Sequence, residues 1–203
     1  MQPHDRWVRE IRKIGKDRYE ILCESDDALV LYGREIEQYG IEENALLCAR
    51  TYTRICDEVL RGRAKNRCMY LLEKQDYTVR QLRAKLSEGR YPAEIIDETI
   101  AYFEEMHALD DRRYAENFLR NHRNHYSRRV LEQKLKQRGI PQELTESLLD
   151  EEGEFVPDEK QQILEILRKK GYDPETADQR EKDKIRQMLF RKGFGSDLIR
   201  EYT

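Results

Sequence analysis

The chain has 203 residues, 39% of them charged and 38% hydrophobic, and its formal net charge is −3. Apolar residues recur throughout, which excludes intrinsic disorder, and so high a charged fraction is typical of amphipathic helices in an elongated or modular body. No run approaches the roughly 18 apolar residues of a membrane-spanning helix, and residues 1–10 lack the apolar segment of a signal peptide.

Residues 6 to about 33 alternate apolar and polar side chains as β-strands do. Three runs, RWVREIRKI, RYEILCE and ALVLYG, are separated by polar turns at residues 15–17 and 25–27. Short alternating runs between polar turns predict a small β-meander. From Arg34 onward the apolar residues follow a helical period instead, which predicts helices in the rest of the chain.

The helical part repeats itself. YTVRQLRAKLSEGRYPAEI at 77–95 matches YSRRVLEQKLKQRGIPQEL at 126–144 with a constant shift of 49 residues, 126 − 77. A third copy, KIRQMLFRKGFGSDLI at 184–199, aligns Ile185 with Leu131, a shift of 54, 185 − 131. A helical segment precedes each copy: CMYLLEKQ, YAENFLRN and QQILEILRKK. Each unit should therefore contain three short helices, and neighbouring units should support one another.

Capping signals delimit the middle helix of each unit. Thr78 and Ser127 are candidate N-caps, and Gln81 is placed to close a capping box with Thr78. Leucines four residues apart give these helices one apolar stripe, Leu82 with Leu86 and Leu131 with Leu135. Three glycines should end the helices in the left-handed conformation and two prolines should open the next ones: Gly89, Gly139, Gly193, Pro92 and Pro141.

Charge alternates in phase with the repeat. Residues 61–90 hold nine basic and three acidic residues, net +6, and residues 91–111 hold seven acidic and no Lys or Arg, net −7. Residues 112–140 follow at net +7, nine minus two, and residues 142–160 at net −7, one minus eight. If the units stack in register, basic helices would line one surface and acidic helices another. The alternative is a set of ordinary solvated helix faces, which would need no phase with the repeat.

The predicted fold class is mainly α, with tandem three-helix repeats that form an elongated, curved body and a small N-terminal β-rich segment. The repeats set four predicted parts. These are a β-rich segment leading into helix at 1–60, repeat 1 at 61–111, repeat 2 at 112–155 and repeat 3 at 156–203.

The four cysteines give no sign of a metal or disulfide framework. None forms a CxxC pair, and three of the four stand among apolar neighbours. We therefore expect reduced, mostly buried thiols in a cytoplasmic protein. They are Cys23, Cys48, Cys56 and Cys68.

Enzyme motifs are missing: the chain has no GxxxxGK[ST], GxGxxG, GxSxG or HExxH, so we predict a protein that is not an enzyme. His122 and His125 are three residues apart, but nothing at helical spacing completes a metal site, so we interpret them as surface residues.

Asp110 or Asp111 is expected to cap the helix that follows. Three aromatic residues could stack on bases, but their repeat positions favour packing: Tyr77, Tyr126 and Phe194.

The repeat motifs resemble the RecX family, bacterial modulators of the RecA recombinase. The resemblance rests on LDDRRYAENFLRNH at 109–122, YSRRVLEQKLKQRGIP at 126–141 and YTVRQLRAKLSEGRYPAEII at 77–96. In the family, Leu-Asp-Asp followed shortly by Tyr-Ala opens the second unit. The resemblance covers roughly residues 60–203 and extends more loosely to the β-rich segment. The third unit departs from it, with Arg180 where the other units have tyrosine, so its contribution is left open.

The resemblance implies a regulatory protein that binds in the groove of the RecA–DNA filament. It implies inhibition of RecA recombinase, ATPase and co-protease activities in DNA repair and the SOS response, with direct contact to single- or double-stranded DNA left open. We expect no cofactor, no membrane partner and a monomer. The alternatives are an autonomous nucleic-acid-binding helical-repeat protein, whose DNA affinity would depend on salt without any partner, and a scaffold for a different protein.

The predicted contact residues are basic side chains on the first two helices of repeats 1 and 2. They would neutralise DNA phosphates or filament carboxylates. No catalytic or metal-binding residue is predicted. The contact set is Arg80, Arg83, Lys85, Arg120, Arg123, Arg128, Arg129, Lys134 and Lys136.

Overall fold

The computed structural model describes residues 5–24, 28–150 and 155–203. The turn predicted at residues 25–27 lies outside the described residues. The chain divides into two compact units, Met1–Asp110 and Asp111–Thr203. In the described ranges, no helix is both long and apolar enough to cross a membrane.

The first unit opens with a four-stranded antiparallel sheet. Its strands are β1 (Arg6–Lys13), β2 (Arg18–Cys23), β3 (Ala28–Tyr32) and β4 (Ala45–Leu47). The strand order is β3-β2-β1-β4, so the three predicted runs form a meander, as expected. The prediction of helix from Arg34 onward is wrong at β4, which pairs with residues 6–8 of β1. Three residues are too few to show an alternation, so this strand depends on its partner.

Five helices complete the first unit: α1 (Gly33–Tyr39), α2 (Ala49–Ile55), α3 (Arg61–Leu72), α4 (Val79–Glu88) and α5 (Ala93–Glu105). A π-helical turn, Cys56–Leu60, joins α2 to α3 without a break. The last three helices are the predicted first repeat.

The sheet and the first repeat share one hydrophobic core. Ile21 and Leu31 of the sheet are fully buried in the same cluster as Leu60, Leu82 and Leu86 of the helices. Polar contacts follow the same seam, since Arg63 donates to the Val30 carbonyl at 3.0 Å and Arg90 pairs with Glu20 at 3.0 Å. The β-rich segment is therefore an integral part of the first unit.

The second unit is helical throughout its described residues. Its helices are α6 (Asp111–His122), α7 (Arg128–Arg138), α8 (Gln142–Asp150), α9 (Glu159–Lys170), α10 (Gln179–Arg191) and α11 (Ser196–Tyr202). Two clusters form its core, one around Leu131 and Leu135 and the other around Ile163 and Leu189. The predicted second and third three-helix repeats are thus present.

The two predicted N-caps behave differently. Thr78 caps α4 as expected, because its hydroxyl accepts from the Gln81 amide at 3.2 Å and the Gln81 side chain accepts from the Thr78 amide at 3.0 Å. Ser127 is at the N-cap position of α7, as predicted, but its hydroxyl does not accept the expected hydrogen bond from the α7 amides. It donates instead to the carbonyl of Lys192 at 2.9 Å.

The predicted left-handed glycines are confirmed at two of three sites. Gly139 and Gly193 have φ values of +90° and +87°. Gly89 has φ −78°, and Arg90 takes the left-handed conformation with φ +58°. A glycine is needed at position 89 for steric reasons, because a Cβ there would lie 2.7 Å from the ring of Tyr91.

The predicted helix-opening prolines stand one residue outside their helices. Pro92 is the N-cap of α5, and Pro141 immediately precedes α8. Their carbonyls accept the first helical hydrogen bonds, from Ile96 at 3.0 Å and from Thr145 at 3.1 Å. A proline carbonyl is an acceptor like any other, and no helical hydrogen bond uses the N–H of the residue at this position. The missing N–H therefore has no cost.

Repeats 2 and 3 are joined through the loop before α7. The Gln162 side chain donates to the Arg123 carbonyl at 2.6 Å, and the Arg128 amide donates to the Glu159 carboxylate at 2.7 Å. Gly193 lies so close to this loop that a Cβ would approach the Ser127 hydroxyl to 2.6 Å. These contacts explain why both repeats fall in one compact unit.

Gly193→Ala should destabilise the second unit more than Gly171→Ala. Both glycines have positive φ, +87° and +64°, so alanine costs about 1–2 kcal/mol of backbone strain at either site. At Gly171 no atom lies within 4 Å of the added Cβ, whereas at Gly193 it would collide with Ser127 and Val130. We expect the Gly193 variant to lose roughly 1–3 kcal/mol more in guanidinium unfolding of the full chain. Equal losses would contradict the tight junction.

Candidate binding surface

Helix α4 carries three of the predicted contact residues. Leu82 and Leu86 are fully buried on one side of the helix, which leaves Arg80 and Arg83 exposed on the other. Arg83 forms an ion pair with Asp97 of α5, and Lys85 pairs with Glu88 at 2.8 Å. Arg80 has no side-chain partner among the residues that the structure describes.

Three further contact residues lie in α6 and around the start of α7. Arg120 is exposed, donates to the Asn117 side chain at 3.2 Å and lies 5.6 Å from the ring centroid of Phe155. The half-buried Arg123 side chain makes no hydrogen bond or ion pair within the described ranges. Arg128 pairs with Glu132 at 3.0 Å.

The remaining three contact residues belong to α7. The ammonium of Lys134 lies 4.5 Å from the ring centroid of Tyr126. Arg129 and Lys136 are exposed and line a cavity of about 370 Å³ between α7 and α8. Neither side chain has a hydrogen bond or an ion pair to another described residue.

The nine predicted residues therefore fall into two groups. Five contact a carboxylate, a side-chain amide or an aromatic ring of the same unit, so their positive charge is partly neutralised or screened there. The other four, which we call the open cations, have side chains with no partner in the described part of the chain. They are Arg80, Arg123, Arg129 and Lys136.

Part of the opposite charge is also neutralised locally. Carboxylates of the acidic helix α5 form ion pairs with basic residues of the same repeat. Arg61 pairs with Glu98 at 2.6 Å, and Arg83 pairs with Asp97. Hydrogen bonds from Arg61 also lower the pKa of the Glu98 carboxyl, so this pair is charged at neutral pH. The alternating charge blocks thus overstate the charge that repeat 1 presents to a partner.

A second group of basic side chains was not predicted. Arg18, Arg63, Arg67 and Arg90 lie with Lys85 around a cavity of about 570 Å³ in the first unit. Helical spacing would have linked Arg63 to Arg67, which are four residues apart. No sequence pattern links these two to Arg18, because the sheet brings β2 to them.

The aromatic residues pack, as predicted. Tyr77 and Tyr126 lie against their cores, and Phe194 is buried. His122 stacks between Phe118, at 4.2 Å between ring centroids, and Tyr126, at 5.7 Å. Its Nδ1 lies 2.8 Å from the Phe118 carbonyl oxygen, so this histidine supports the loop between α6 and α7. Within the described ranges, no three His, Cys, Asp or Glu side chains are grouped to hold a metal.

Comparison with known proteins gives matches along most of the chain. Family models of the first, second and third RecX three-helix domains match residues 64–103, 110–149 and 158–203. The regulatory protein RecX of Trichlorobacter lovleyi is 33% identical over 135 residues, which are 64% of this chain and 87% of the relative. That of Caldanaerobacter subterraneus subsp. tengcongensis is 26% identical over 193 residues, 95% of each chain.

Solved structures agree with the fold. A crystal structure of a regulatory protein RecX superimposes with a TM-score of 0.60 at 22% identity, and the match covers 95% of this chain and 96% of that one. RecX from Lactobacillus salivarius gives a TM-score of 0.58 at 22% identity over 70% of this chain and 93% of that one. The three-helix units and the N-terminal sheet are thus a known arrangement.

The four thiols differ in accessibility. Cys23, Cys56 and Cys68 are buried, as expected, and burial raises the pKa of Cys68 to about 11. Cys48 is exposed just before α2, with its sulfur 3.2 Å from the hydroxyl oxygen of Thr51. Hydrogen bonds from the hydroxyl and amide of Thr51 lower the pKa of the Cys48 thiol. Among the four, Cys48 should therefore react first.

Iodoacetamide should alkylate Cys48 in a fast phase that Cys48→Ser removes. Because the thiolate is the nucleophile, the rate should rise with pH through a midpoint below that of a free cysteine, whose pKa is about 8.5. Thr51→Val removes one of the stabilising hydrogen bonds and should move that midpoint upward. Mass spectrometry of the full chain over a pH series measures the rates. An unshifted midpoint in the valine variant would contradict the role of Thr51.

Proposed function

This chain belongs to the RecX family of regulatory proteins, and we propose that it binds the RecA–DNA filament and inhibits the recombinase, ATPase and co-protease activities of RecA. The action is one of binding, in which basic side chains neutralise DNA phosphates or filament carboxylates. In the cell this would restrain DNA repair by recombination and the SOS response.

One observation supports the choice of surface. Arg80 and Arg129 are equivalent positions of the sequence repeat, since 129 − 80 = 49, and both are exposed near the start of a middle helix. Neither side chain has a partner in the described part of the chain. A basic residue that recurs at one repeat position, and that no internal contact explains, is suited to a repetitive anionic partner such as a filament.

Repeat 3 differs at the same position. Asp183 stands where the other units have Arg80 and Arg129, since 183 − 129 = 54, and Met188 stands where they have Lys85 and Lys134. We therefore assign the anionic contact to repeats 1 and 2. Repeat 3 supports repeat 2 through the junction at Ser127.

RecA should lose DNA-dependent ATPase activity on single-stranded DNA when this protein is titrated in. Because one bound copy would affect several filament subunits, we expect the fall at well below one copy per RecA. No change in ATPase, together with tight and salt-sensitive binding to naked DNA, would favour the autonomous nucleic-acid-binding protein instead. No change and no DNA binding would mean that the partner is a different protein.

Charge reversal of three open cations, Arg80→Glu, Arg129→Glu and Lys136→Glu together, should weaken inhibition of RecA by roughly tenfold or more. The unfolding midpoint should stay the same, because these side chains have no partner in the described residues. The matched control reverses three other exposed basic residues, Arg9, Arg50 and Lys184, and so makes the same change in net charge. Equal loss in both variants would reject a specific surface and leave only a general charge effect.

A further inference from the structure

A basic recess of the first unit lies where the sheet meets repeat 1. Its volume of about 570 Å³ falls within the range of sites for small ligands, roughly 300–1,000 Å³. Three elements and a turn supply its cations: β2, α3, α4 and the turn between α4 and α5. They are Arg18, Arg63, Arg67, Lys85 and Arg90.

The carboxylates near this cavity leave an excess of positive charge. Three of the five cations have one acidic partner each: Arg63 with Glu35, Lys85 with Glu88 at 2.8 Å and Arg90 with Glu20 at 3.0 Å. Arg18 and Arg67 are exposed and form no ion pair with any described residue. Because these two guanidinium groups come from different elements, the fold holds two unneutralised charges at one cavity.

Aromatic and amide groups complete the lining. Tyr32 is 40% exposed, and the Arg63 guanidinium lies 4.6 Å from its ring centroid. Tyr91 is held at the cavity by its contact with Gly89, where only a glycine allows the ring to approach. The exposed Asn66 adds an amide that can both donate and accept. Cations beside aromatic rings are the combination that binds a phosphate together with a stacked base.

We propose that this cavity binds a nucleotide, with its phosphate on Arg18 and Arg67 and its base on the tyrosine side of the cavity. The nucleotide is either free or one link of a single-stranded polynucleotide, and both present the same phosphoryl group and base. The N-terminal sheet then has a direct binding role, since β2 supplies one of the two unneutralised arginines and Tyr32 ends β3.

The site overlaps the predicted filament contacts at one residue. Only Lys85 belongs to both groups, and the four open cations do not line this cavity. The inference does not rest on the proposed function, because the ligand is measured without RecA. Failure of RecA inhibition would therefore leave it standing, and failure of nucleotide binding would leave the filament proposal standing.

The test compares two double variants of the full chain. Arg18→Glu with Arg67→Glu reverses the charges of the cavity, and Arg9→Glu with Arg50→Glu reverses two exposed arginines of the same unit that do not line it. Fluorescence anisotropy measures binding of a labelled oligothymidylate and of a labelled ATP across a salt series. Thermal unfolding of each variant verifies that it is folded.

We expect the cavity variant to bind oligothymidylate about tenfold more weakly and with a salt slope smaller by about 0.7, because the contact with one phosphate is lost. The control should stay within about twofold of the original chain. If the cavity variant also loses binding of ATP, the cavity accepts free nucleotides as well as a single strand. If the variant loses only binding of oligothymidylate, the ligand is a polynucleotide. The proposal is overturned if the cavity variant binds both probes like the original chain, or if the control loses as much affinity.

Discussion

The burial of two leucines on each middle helix is the constraint on which repeats 1 and 2 depend. Leu82 and Leu86 in α4, like Leu131 and Leu135 in α7, are fully buried. Since they are four residues apart, they fix which side of the helix faces the core and therefore which basic residues face water. In α10 only Leu189 is fully buried, and repeat 3 has its own buried cluster and also contacts repeat 2 where the Ser127 hydroxyl donates to the Lys192 carbonyl.

Local patterns predicted the elements well, and tertiary contacts account for what they missed. Thr78 and Ser127 have the same kind of side chain at the same N-cap position, yet only the Thr78 hydroxyl accepts a hydrogen bond from its helix. The Ser127 hydroxyl donates instead to the carbonyl of Lys192, 65 residues further along the chain, and no local pattern reveals this partner. The short strand β4 was missed for the same reason, because its stability comes from pairing with β1.

The same limit applies to the candidate sites. Carboxylates three or four residues away neutralise part of the charge of Lys85 and Arg128, and their spacing would have indicated both pairs, although the sequence analysis did not use it. The partner of Arg83 is Asp97 on the next helix, and only the packing of α4 against α5 identifies it. The cavity at Arg18 is beyond sequence reasoning altogether, because a sheet register brings its residues together. Composition therefore locates basic helices, while packing decides which charges remain available.

Lysine footprinting tests the central claim, that the basic middle helices of repeats 1 and 2 contact the filament. The full chain would be acetylated alone and on RecA–single-stranded DNA filaments, and the sites quantified by mass spectrometry. We expect Lys136 and Lys85 to lose reactivity on the filament, while the exposed Lys170 and Lys184 of repeat 3 keep theirs. Protection of the repeat 3 lysines, with Lys136 and Lys85 unchanged, would contradict the account.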